Sequence, residues 1–63
     1  MTQEQFEEFV GEIIPQQLFH VSPDDIDDET GCKLEEVILI RLITQHIQCL
    51  KYKPLNWYVK TFL

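Results

Sequence analysis

Apolar residues return at helical spacing from the start of the chain. Phe6, Phe9, Val10, Ile13 and Ile14 recur at i, i+3, i+4, i+7 and i+8, a spacing that gathers all five on one helix face. Glu4, Glu7, Glu8 and Glu12 fall on the opposite face, and early acids also suit the positive end of the helix dipole. Thr2 followed by Gln5 fits the reciprocal cap that opens a helix. Pro15 disfavours helical geometry at the residue before it, so this pattern predicts a helix over about 3–14.

The next stretch, 16–21, has no clear period, and Leu18, Phe19 and Val21 read as a connector pressed onto the core. Ser22-Pro23-Asp24-Asp25 then offers a hydroxyl cap, a proline at the first helical position and acids after it. That combination predicts a short helical turn at 23–28 with Ile26 facing inward. Gly31 interrupts it, and a new start near Asp28 to Thr30 is equally compatible with the residues.

A second long helix is expected over about 32–50. The run Val37-Ile38-Leu39-Ile40 is rich in branched residues, as a strand would be, but apolar and polar residues do not alternate. On a helical wheel Leu39, Ile40, Leu42, Ile43, Ile47, Cys49 and Leu50 cover roughly half the circumference, more than the ~100° a one-sided helix needs. The prediction is a helix covered on two sides. Lys51-Tyr52-Lys53 is a break, and Pro54 suits the first turn of a last helix over about 54–62. Leu55, Tyr58, Val59, Phe62 and Leu63 form its stripe, with Trp57 beside it. The fold class is therefore all-α: one small domain over 1–63, three main helices and no sheet.

Size changes what this pattern implies. A chain of 63 residues buries only about 60% of the surface its unfolded form exposes. Below this size disulfides, metals or association usually supply the missing stability. With 44% apolar and 25% charged residues the chain is too apolar to be disordered. Seven aromatics and a half-apolar helix exceed what three short helices cover. The expectation is a protein interface, through helix 32–50 as a possible homodimer or against a different protein. Ile40 and Ile47 would contribute its apolar surface, with Trp57, Tyr58 and Phe62 as anchors, since aromatics dominate interface hot spots.

Charge adds a direction. Residues 1–36 hold all eleven acids and a single base, Lys33, for a formal balance of −10, whereas 37–63 hold four bases and no acid. Such a surface repels nucleic acid and anionic membranes and favours a basic partner. Its densest part is Asp24, Asp25, Asp27, Asp28 and Glu29, expected to be the partner-binding patch. Calcium fits this stretch poorly. Taking Asp25 as the first ligand puts the required glycine one place late and Lys33 at a ligand position. A second reading has these carboxylates standing in for phosphates, which would make the chain an inhibitor of a nucleic-acid-binding protein. A third is a self-associating structural module.

The remaining chemistry is thin. His20 and His46 lie in different elements without metal-ligand spacing, and no glycine-rich phosphate loop or serine elbow is present. His46 is expected as a partly buried histidine with a hydrogen-bond partner, and Cys49 as a core residue. So short a chain hardly encloses a substrate pocket. No enzyme activity, cofactor or metal is expected. On one helix Cys32 and Cys49 would lie about 25 Å apart, too far for a disulfide. The acidic start, MTQEQFEE, is unlike a signal peptide, and the longest apolar run stops at Arg41. These features point to a cytoplasmic protein without a membrane span, a small acidic regulator or adaptor that binds another protein.

Overall fold

The computed structural model describes all 63 residues. Its elements are α1 (Gln3–Glu8), a π-helical segment (Phe9–Ile13), α2 (Ile14–Leu18), α3 (Leu34–Gln45), a 3-10 turn (Ile47–Lys51) and α4 (Leu55–Phe62). The first three run on from one another, so the molecule is a bundle of three helical rods without strands. Its radius of gyration, 11.7 Å, exceeds the ~10.6 Å of a compact chain this long. The body is elongated, 34 × 19 × 18 Å.

The first helix starts as its residues dictate. The Gln5 amide donates to the Thr2 hydroxyl at 3.2 Å, and the Thr2 amide donates to the Gln5 side chain at 2.9 Å. It does not end at Pro15, as expected, but continues to Leu18. Proline lacks an N–H, and its ring strikes the carbonyl four residues back in a regular helix. Here the Ile14 amide donates to the Phe9 carbonyl, five residues back, so the widened turn makes room for the ring.

α3 is also shorter than expected. It opens at Leu34 and stops at Gln45, where His46 leaves helical geometry at φ −111° and ψ 54°. Neither glycine nor proline causes this. The Thr44 hydroxyl donates to the Ile40 carbonyl at 2.7 Å, a back-bond that competes with the helix's own and bends it. The His46 amide is shared between the Leu42 and Ile43 carbonyls, tightening the last turn. Residues 47–51 then continue as a 3-10 turn instead of extending the helix.

No helical turn forms at 23–28. Ile26 pairs with Lys33 in an isolated antiparallel bridge, and it is 53% exposed instead of facing inward. The loop closes on itself through Asp27 N–H to the Cys32 carbonyl, 2.8 Å, and Gly31 N–H to the Asp27 carbonyl, 2.7 Å. Gly31 sits at φ +73°, a left-handed conformation that glycine adopts without strain.

Only seven side chains are buried: Phe6, Phe9, Ile14, Leu39, Ile43, Cys49 and Tyr58. Each buried large apolar side chain contributes roughly 1.5–3 kcal/mol, so so small a core leaves little margin. α3 packs against α2 on one flank and α4 on another, and Leu39 and Ile43 are its two buried residues. Phe6 is held by two rings, stacked on Tyr52 at 4.6 Å and edge-on to Tyr58 at 6.3 Å. No helix is long and apolar enough to cross a membrane.

Candidate functional site

The acidic loop is a built structure, and its carboxylates have different jobs. Asp27 Oδ2 accepts from the Thr30 amide at 3.1 Å and the Thr30 hydroxyl at 2.9 Å, locking the tip of the loop. Asp25 Oδ2 accepts from the Ser22 amide at 3.2 Å. Asp24 and Asp28 are exposed and their carboxylates make no hydrogen bond within the chain. Glu29 reaches towards Arg41, Oε2 to Nη2 4.0 Å, with both side chains well exposed. Exposed pairs of this kind contribute little, so the loop's charge stays almost wholly unneutralised.

The loop is fixed to the start of α3. The Leu34 amide donates to the Asp25 carbonyl at 2.9 Å, supplying by backbone the cap that Lys33 has no side-chain oxygen to provide. Glu35 and Glu36 follow in the first turn. The closure of the loop lays Thr30 and Cys32 beside the flank of α3, and a groove of about 310 Å³ opens there. It is lined by Thr30, Cys32, Glu36, Val37, Ile40 and Arg41. Ile40 is 40% exposed. An apolar floor thus adjoins a dense negative rim.

The residues expected to bind a partner therefore divide. Asp24, Asp25, Asp27, Asp28 and Glu29 lie on the loop fixed to the start of α3, and Ile40, near the middle of that helix, lines the adjoining groove. Ile47 lies beyond the other end of that helix, 66% exposed, on the rim of a cleft of about 480 Å³ with Phe9, Ile13 and His46. Trp57 and Phe62 are half-buried and packed against the core. Lys53 Nζ lies 5.5 Å from the centre of the Trp57 ring. Tyr58 is no surface anchor. It is fully buried, and its phenol donates to the Cys49 carbonyl at 3.1 Å.

Cys32, Val37 and Arg41 escaped the sequence reading as site residues, because only the loop's closure onto α3 makes them one surface with Glu36. Phe19 is another surprise, 82% exposed in the stretch without a period. The His46 ring lies against Phe9 with ring centres 4.6 Å apart and planes tilted at 46°.

The chemistry of the interior is unreactive. Cys49 is buried and Cys32 exposed, both as free thiols. Burial pushes the Cys49 thiol up, outweighing the lowering effects of the Tyr58 hydrogen bond and a nearby ammonium. Burial likewise pushes the Tyr58 phenol up to about 12, with the Cys49 charge and hydrogen bond adding to it. Both groups are held neutral. Nowhere do three or more His, Cys, Asp or Glu side chains converge in a way that could hold a metal ion. No protein-family model matches this chain, and neither a curated protein nor a solved structure matches it significantly.

Proposed function

We propose that this chain is a small protein-binding module, a regulator or adaptor that acts by docking and not by catalysis. Its binding surface is the acidic loop 22–31 together with the groove on α3. The observation that carries this reading is the joining of the two: Ile40 and Val37 floor a groove whose neighbouring loop holds five carboxylates, with only Lys33 and Arg41 as bases near them. The apolar floor would supply affinity, and the carboxylates would steer and select a basic partner. The two unpaired thiols fit a reducing compartment such as the cytoplasm.

The test is retention of proteins from a cell extract by immobilised chain. Wild type is compared with Ile40→Ser and with the double variant Asp24→Asn/Asp28→Asn, in which each change removes an exposed group. The expected result is a protein held at low salt, released as salt rises, and lost with both variants. If wild type and variants retain the same proteins, the surface is not a binding site. Recovery of a nucleic-acid-binding protein in this experiment would make the chain an inhibitor of the mimic type.

A further inference from the structure

The chemistry that the acidic groove asks of a partner is a basic segment with exposed apolar side chains, and this chain carries one. Ile47, Leu50 and Leu55 are 66%, 43% and 40% exposed. Lys51 and Lys53 lie among them, and residues 47–55 contain no acid. Glu8 faces Ile47 across the cleft at this end, so the positive charge rests on the two lysines beyond it. The segment lies just beyond the last residue of α3, while the acidic loop is fixed to its first. Twelve residues of helix keep them roughly 18 Å apart, so within one chain they do not meet.

Building on the binding surface proposed above, we infer that its partner is a second copy of this chain in an antiparallel pair. Segment 47–55 of each copy docks on the acidic loop of the other, and the two grooves meet face to face at Ile40. Ile40 lies near the middle of α3, so a two-fold axis passing beside it sets the start of one α3 against the end of the other. Both contacts are then equivalent, as closed two-fold pairs require. Area favours the same arrangement. A stable pair buries about 800 Å² on each partner, and one flank of a body 34 Å long and 19 Å wide approaches that only when used from end to end. The ends must then match in charge. A parallel pair would set acidic loop on acidic loop, whereas an antiparallel pair sets lysines on carboxylates.

Sedimentation equilibrium from micromolar to millimolar concentration tests this. The expected result is a reversible dimer that weakens about tenfold between about 0.1 M and about 1 M salt, as the screening length falls from about 10 Å to about 3 Å. A dimer tightened by salt has like charges apposed and overturns the antiparallel pairing. Two charge-reversed chains give the decisive result: Lys51→Glu/Lys53→Glu and Asp24→Lys/Asp28→Lys/Glu29→Lys, the second leaving Asp25 and Asp27 against three lysines so that the loop turns net positive, all at exposed positions, each checked for folding by circular dichroism. Each alone should associate about tenfold more weakly than wild type, and their equimolar mixture should recover wild-type association, because both contacts are complementary again. A mixture that does not recover overturns the inference, as does a wild type that stays monomeric at millimolar concentration. A monomer that still captures another protein through Ile40 and the acidic loop leaves the function proposed above standing.

Discussion

The phenol of Tyr58 donates to the backbone carbonyl of Cys49 across 3.1 Å, inside the core. This contact ties the last helix to the turn in which the third one ends. The same carbonyl accepts the Tyr52 amide at 2.9 Å and the Lys53 amide at 3.3 Å, so it fixes the direction in which the chain leaves the turn.

Tyr58→Phe should therefore cost about 1 kcal/mol near neutral pH, one net hydrogen bond, without orphaning the carbonyl. The larger effect lies at high pH. The phenol ionises near 10.0 in the unfolded chain and at about 12 in the folded one. Between these values the unfolded state holds fewer protons, so stability falls as pH rises. Over the whole window the loss is about 2–3 kcal/mol. Urea denaturation near neutral pH and near pH 11 should show a steeper loss for wild type than for Tyr58→Phe. Equal slopes in the two proteins would contradict the burial of this group.

Leu39 and Ile40 are neighbours with opposite fates. Leu39 is fully buried and Ile40 is 40% exposed. Leu39→Ala should cost about 2–5 kcal/mol through lost contacts and a cavity, enough to unfold much of a small domain. Ile40→Ala should stay within about 0.5 kcal/mol. Thermal melts at micromolar concentration distinguish them, and equal losses would mean that α3 is turned differently about its axis.

The two glycines should respond in opposite directions. Gly11 lies within the first helical rod, and a Cβ added there meets nothing within 4 Å. Gly11→Ala should stabilise the chain by about 0.5–1 kcal/mol. Gly31 sits at φ +73°, so Gly31→Ala should destabilise it by about 1 kcal/mol. A stabilising Gly31→Ala would show that the loop does not close as described.

Within the acidic loop, Asp27 has a structural part and Asp28 does not. Asp27→Ala removes the acceptor of the Thr30 amide and hydroxyl, at a cost of about 1 kcal/mol, and should speed hydrogen exchange at Thr30. Asp27→Asn keeps an acceptor oxygen and should largely preserve the turn, and Asp28→Ala should leave it unchanged. Faster exchange at Thr30 in Asp28→Ala would refute this division of roles.

Much of the bundle was legible because helix formation is written in local periodicity. The stripe from Phe6 to Ile14, the Thr2 and Gln5 cap and the start after Pro54 all follow from residues within two turns of one another. The limits of the helices were not legible to the same degree. Pro15 reads as a stop, yet a single widened turn accommodates it. Nothing between Leu34 and Leu50 reads as a stop, yet a threonine hydroxyl and a shared amide end α3 at Gln45. Tyr58 reads as a possible surface anchor because its stripe looks the same whether it faces the core or a partner.

By itself the sequence determined three helical rods, an acidic first half and a basic last quarter, since periodicity and charge belong to the chain before it folds. Tertiary structure decided which apolar residues the core takes and which it leaves exposed. It took Tyr58 and Leu39 and left Ile40, Ile47 and Phe19. It also turned SPDDIDDETG from an expected helix start into a closed loop on the flank of α3, through backbone hydrogen bonds between residues four to nine apart. Those bonds depend on where α3 begins, and they are what set five carboxylates beside an apolar groove.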